Sequence, residues 1–102
     1  MPPYELSAAA QDDLREIARY TLKQWGKAQS FIYAGSLDLC FVEIAAHTRH
    51  SRPILESQPT LRVSRCEHHL VFYLHPKAKP PTIIGVLHER MDLLQHLKSR
   101  LP

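Results

Sequence analysis

Six side chains in the second half of this chain have the chemistry a phosphodiester-cleaving site would use: Arg62, Arg65, Tyr73, His88, Glu89 and Arg90. RNA cleavage needs a base for the 2′-hydroxyl, an acid for the leaving oxygen and cations for the phosphate charge. His88-Glu89-Arg90 supplies all three in consecutive positions, where a strand would leave its sheet. On a strand, however, Arg62 and Arg65 fall on opposite faces and cannot serve one site without a bulge. Lys77 and Lys79 sit between prolines on a hairpin tip, an awkward place from which to hold a phosphate. A solvated Glu89–Arg90 pair and a His88 bonded to backbone account for the same residues more simply. Catalysis is not supported.

Metal chemistry fares no better. His47 and His50 are three apart at a helix end, while His68 and His69 are adjacent and would point to opposite faces of a sheet. Cys66 and His68 are only an i, i+2 pair, and no third ligand has the right spacing. Neither a metal nor a cofactor is expected. Cys66 is a poor nucleophile, because the adjacent Glu67 disfavours a thiolate. Cys40 and Cys66 lack C-x-x-C spacing and the density of a disulfide scaffold, so the expectation is two free thiols in a cytoplasmic chain.

Composition narrows the remaining classes. The 102 residues are enough for one domain spanning 1–102 with one core. A hydrophobic content of 44% with 23% charged residues excludes a disordered chain. No run of 18 apolar residues could span a membrane, and no charged-then-apolar leader opens the sequence. The net charge of +3 is too small for a nucleic-acid-binding tail, and no sequence-specific nucleic-acid binding is expected. That total hides an asymmetry. Residues 1–47 carry four basic and six acidic side chains, whereas residues 48–102 carry nine basic and four acidic. The second half should therefore favour an acidic partner.

The elements that must position these groups follow from periodicity. Tyr4-Glu5-Leu6 reads as a short strand, and Ser7 fits a helix N-cap with Asp12 and Asp13 near the positive end of the dipole. Leu14, Ile17, Ala18, Thr21, Leu22 and Trp25 form one stripe, read here as core, with a partner anchor as the alternative for Trp25, and Gly26 should end the helix in a left-handed cap. Phe31, Ala34, Leu37, Phe41, Ile44 and Ala45 repeat the spacing in a second helix, giving an antiparallel hairpin. That second helix is also apolar at Ile32, Leu39 and Val42, so it should lie between the first helix and something else. Residues 48–60, broken by Pro53 and Pro59, read as a surface connection. Strands are expected over 61–66, 69–75 and 82–88, followed by a short helix capped by Asp92. Its Leu93, Leu94, Leu97 and Leu101 could dock on the sheet or leave a groove for another helix. The fold class is α+β: a helical hairpin packed on one face of a small antiparallel sheet of about four strands.

The opening Tyr4-Glu5-Leu6-Ser7, then Ala10-Gln11-Asp12-Asp13-Leu14-Arg15-Glu16-Ile17, resembles the start of bacterial ParE toxins, as does Tyr20 to Trp25-Gly26. Ser51-Arg52-Pro53, Leu61-Arg62 and His69-Leu70-Val71-Phe72-Tyr73 are similar to that family's loop and central strands, and Val86 to Asp92 resembles its last strand and exit. The chain departs from the pattern at Ser51, where many members have Gly, and at Glu67-His68, in place of a Gly-Arg-like turn. The resemblance implies the toxin of a type II toxin–antitoxin module in the RelE/ParE superfamily: a non-enzymatic poison of DNA gyrase, neutralised by a ParD-like or related antitoxin with a flexible acidic segment. The alternative within the superfamily is a RelE-like, ribosome-dependent mRNA endoribonuclease using His88, Glu89 and Arg90. For antitoxin binding, the basic half points to Arg62, Arg65 and Arg90 with the apolar Tyr73 and Met91 beside them.

Overall fold

In the computed structural model, which describes residues 3–89 and 92–101, Ser7 turns its hydroxyl to accept the Ala10 N–H at 3.1 Å and opens helix α1, Ala8–Trp25. Gly26 then ends α1 and starts helix α2, Lys27–Ala45, as the single residue between them. Its φ of +88° is where glycine alone is comfortable, and its N–H reaches Leu22 O while its carbonyl takes Ser30 N–H. Thr21 Oγ1 and Ser30 Oγ meet at 2.9 Å across the hairpin. At the far end His47 adopts φ +58°, with His47 N–H bonded to Ile44 O and Thr48 N–H to Glu43 O. These are the two bonds of a Schellman cap, built here on a histidine.

Strands β1 (Glu5–Leu6), β2 (Arg52–Leu55), β3 (Gln58–Cys66), β4 (His69–Leu74) and β5 (Thr82–Leu87) form one sheet in the order β1-β5-β4-β3-β2. The expectation of about four antiparallel strands needs two corrections. The sheet has five strands, and β1 pairs with β5 in parallel. The extra strand is β2, inside the segment read as a surface connection. Pro53 suits it because β2 is an edge strand, where a missing N–H costs no ladder bond.

Both faces of the sheet are covered. Cys66, Val71, Tyr73, Ile83 and Val86 face the hairpin and pack with Leu37, Cys40, Phe41 and Ile44 of α2. Leu61, Val63, Phe72, Ile84 and Leu87 face the other way. They are covered by helix α3 (Leu93–Lys98), whose N-cap Asp92 accepts from Gln95 N–H. The helices are thus not confined to one face. Leu97 is buried there with Leu93 and Leu101 beside it, so the terminal leucines dock on the chain's own sheet; the Leu94 side chain lies outside the described residues.

Two ties join the layers. Cys40 of α2 and Cys66 of β3 form a disulfide with Cα atoms 6.0 Å apart, which overturns the expectation of free thiols. The sheet fold brings together two buried cysteines that are 26 residues apart in sequence. The second tie is ionic. A bulge in β5 sets Gly85 opposite Phe72 and Ile83 opposite Tyr73, leaving Ile84 as the extra residue. Arg100 donates to Ile84 O at 3.1 Å and grips Asp13 of α1 with both nitrogens, at 2.5 and 3.1 Å. Asp13 also accepts Val86 N–H at 2.9 Å. A Cβ at Gly85 would lie 3.0 Å from the Arg100 guanidinium, so the bulge glycine leaves room for it.

Candidate partner-binding surface

β3 sets the two central arginines on opposite faces, as alternation requires: Arg62 stands across from Tyr73, and Arg65 across from Leu70. The Arg62 guanidinium donates to Ser51 Oγ at 2.8 Å and to Ser51 O at 3.2 Å. Serine at position 51 therefore supplies a hydroxyl that glycine could not. Arg65 is more exposed and ion-pairs with Glu89. Tyr73 is only 3% exposed, on the hairpin-facing side of β4, with its hydroxyl 3.3 Å from Ser64 Oγ, which in turn donates to His50 O. It lines the core beneath this surface and is no surface contact. Arg90 and Met91 lie outside the described residues. Of the expected set, Arg62 and Arg65 are at the surface, on two different faces.

The positive field of this half is partly neutralised. Arg49 pairs with Glu43 and also donates to Arg65 O, while Arg65 and Arg100 have their own acids. Among the described residues, Arg52, Arg62, Lys77, Lys79 and Lys98 are in no salt bridge. Their distribution over β2, β3, the β4–β5 turn and α3 keeps the sheet half cationic. For the nuclease reading, His88 and Glu89 are exposed, and the Glu89 carboxylate is engaged by Arg65.

Aromatic and imidazole side chains pack around α2, an arrangement that no sequence spacing announced. Tyr33 of α2 places its hydroxyl 2.6 Å from His69 Nδ1 and accepts the His68 N–H at 3.1 Å, with its ring stacked on His68. Burial pushes the Tyr33 hydroxyl up and Glu67 adds to this, while the His68 N–H bond pulls the other way. The hydroxyl thus stays protonated and can donate to His69. Burial pushes His69 down, with His88 and His68 acting in the same direction and Asp13 opposing. At the other end, His47 stacks on His75 at 4.2 Å; burial, then His47, then Arg62 hold the His75 ring below its ordinary value. Among the described residues, no three of His, Cys, Asp and Glu converge as a metal ion would require.

The apolar surface is the feature that sequence reasoning placed wrongly. Leu22 and Trp25, expected in the core, are exposed, Trp25 at 67%; so is Phe31, at 79%. Thr21 is the last buried residue of α1, and the stripe beyond it, Leu22 and Trp25, is left in solvent. Nearer the base, a cavity of about 160 Å³ opens between the helices, lined by Tyr4, Leu14, Ala18, Ala34 and Phe41 among others. Tyr4 closes one side, its hydroxyl donating to Asp38 and pushed up to about 12 by burial, then by that bond and the carboxylate's charge.

The molecule is thus an α+β domain in which a two-helix hairpin packs on a mixed five-stranded sheet, with the excess of basic side chains in the sheet half. The family described as "ParE toxin of type II toxin-antitoxin system, parDE" matches residues 4–93. Toxin ParE of Escherichia coli is 43% identical over 101 residues, covering 99% of this chain and 98% of its own. Toxin ParE1 of Caulobacter vibrioides is 34% identical over 97 residues, covering 95% and 99%. Toxin ParE1 of Mycobacterium tuberculosis is 34% identical over 94 residues, covering 92% and 96%. The chain belongs to the ParE toxin family of type II toxin–antitoxin systems.

Proposed function

We propose that the chain arrests replication by binding DNA gyrase in the cytoplasm, with no chemistry of its own, and is held inactive by a cognate ParD-like antitoxin. The observation that carries the antitoxin half is the charge split: nine basic against four acidic side chains in residues 48–102. An acidic segment that folds on binding gains both steering and register from such a surface. Arg62 is the cation to test, since it has no acid to compensate it, whereas Arg65 already has Glu89. Arg62→Glu should weaken the antitoxin complex roughly tenfold at low salt, and Arg65→Glu less, with both gaps shrinking as ionic strength rises. Titration calorimetry at two salt concentrations measures this; equal affinities at both would remove the electrostatic reading. For the target, purified chain added to gyrase and plasmid should inhibit supercoiling and accumulate cleaved DNA. Unchanged supercoiling would overturn the gyrase half, and new message ends in the ribosomal A site, read by primer extension, would replace it with the nuclease reading.

A further inference from the structure

Just beyond the end of α2, side chains from three elements gather on the hairpin-facing side of the sheet. Arg62 of β3 stands across from Tyr73, and His75 follows two residues later on the same side, its N–H bonded to Thr60 O. Arg62 and His75 are therefore diagonal neighbours. His47, from the α2 cap, stacks its ring on His75, with centroids 4.2 Å apart and planes 11° from parallel. Glycine would be unstrained at that cap position, yet a histidine holds φ +58° there and lays its ring over His75. Donors in this cluster are left over. Ser51 takes one edge of the Arg62 guanidinium, through Nε and Nη2, which leaves the Nη1 hydrogens and one on Nη2 unengaged among the described residues. The ring nitrogens of His47 and His75 have no hydrogen bond among those residues either. Counter-charge is missing as well. Among the described residues none of the three is in a salt bridge, and Glu43, the acid nearest His47 in the chain, is already held by Arg49. His75 feels that imbalance: burial pushes it down most, His47 and Arg62 add to this, and its remaining ring neighbour is the neutral Tyr73.

We propose that this cluster is a binding site for a phosphate group, with Arg62 as the fixed cation and His47 and His75 as further donors. A tetrahedral anion suits it better than a planar carboxylate. Its oxygens diverge, so that one meets the open Arg62 edge while others face imidazoles stacked at two levels. The oxygens of a carboxylate lie along a single edge and would serve the guanidinium or the rings, not both. A free phosphate and a backbone phosphodiester present the same oxygens, and the test below separates them. Binding is coupled to protons. An anion beside His75 opposes the repulsion from His47 and Arg62, so it raises the proton affinity of the ring. By linkage, the anion must bind more tightly as pH falls towards the ordinary histidine value.

The test uses the purified full chain with neither gyrase nor antitoxin, so its outcome is independent of the function proposed above. Imidazole resonances are followed by NMR as inorganic phosphate, sulfate or acetate is added at constant ionic strength. Saturable shifts concentrated on His47 and His75, among the seven histidines, are expected. Sulfate does not titrate in this range and should bind roughly tenfold more tightly at about pH 6 than at about pH 8. Arg62→Gln and His75→Gln should each weaken binding about tenfold, the latter read at His47, while Lys98→Gln on α3 leaves it unchanged. Far-UV circular dichroism and thermal melts confirm that each variant is folded. A short mixed-sequence DNA duplex that displaces sulfate identifies the backbone phosphate as the source; a duplex that does not identifies free phosphate. Shifts that fail to saturate, spread evenly over the histidines or persist in both variants overturn the site. Acetate binding as tightly as phosphate also overturns it and returns Arg62 to the carboxylates of an antitoxin.

Discussion

His69 and His75 lose solvent and gain cationic neighbours on folding, and both effects hold their rings below the ordinary value of about 6.5. The unfolded chain therefore binds more protons than the folded one as pH falls through that value. Stability is complete above about pH 6.5 and declines as pH drops from there through the depressed folded values. Melting temperature should fall between pH 7.5 and 5, and His69→Gln with His75→Gln should flatten that slope; a flat profile in the parent chain would contradict the argument. Glu67 illustrates a different residue-scale cost. It sits at φ +56° in the two-residue turn between β3 and β4, where a Cβ is unfavourable. Glu67→Gly should raise stability by about 1 kcal/mol in urea unfolding, because glycine relieves that strain while the Tyr33 bond to His68 N–H is kept. The sequence located this turn, but the left-handed residue in it was not legible, since neither Glu67 nor His68 is a turn former.

At the scale of elements, the caps and the strands were written locally. Ser7, Gly26 and Asp92 each do at their helix ends what their side chains, or the lack of one, dictate. β2 was missed because its pairing is supplied by β3, not by its own residues, and because proline is tolerated on an edge. The docking of α3 depends on a contact that spans 87 residues, between Asp13 and Arg100, each side chain only 14% exposed. Breaking one partner leaves the other charge poorly solvated and also orphans Val86 N–H or Ile84 O. Asp13→Ala or Arg100→Met should each cost roughly 3 kcal/mol, with the double substitution costing less than the sum. Denaturant unfolding in a double-mutant cycle checks this, and strict additivity would mean that the pair does not act as a unit.

For the whole molecule, the decisive links join layers that the sequence keeps apart. The Cys40–Cys66 disulfide fixes α2 to the sheet and closes a loop of 26 residues, worth roughly 3 kcal/mol through the unfolded chain. Reduction, or Cys40→Ala with Cys66→Ala, should lower the melting temperature by on the order of 15 °C, since a domain of this size loses several degrees per kcal/mol. An unchanged melt would show that packing alone holds the hairpin. The sequence by itself determined the order of elements apart from β2, the helix caps, the central strands and the split of charge, because periodicity, capping and composition act between near neighbours in the chain; the kinship with ParE toxins was carried separately, by the resemblance of its motifs. Only the tertiary structure decided that Cys40 meets Cys66, that Tyr73 turns inward while Arg62 stays out, that Trp25 and Phe31 are left in water, and that α2 keeps a second apolar face. Each of these depends on where the sheet ends and which face a distant element covers. Apolar residues at helical spacing say that a face must be buried; they do not say whether the partner lies within the chain.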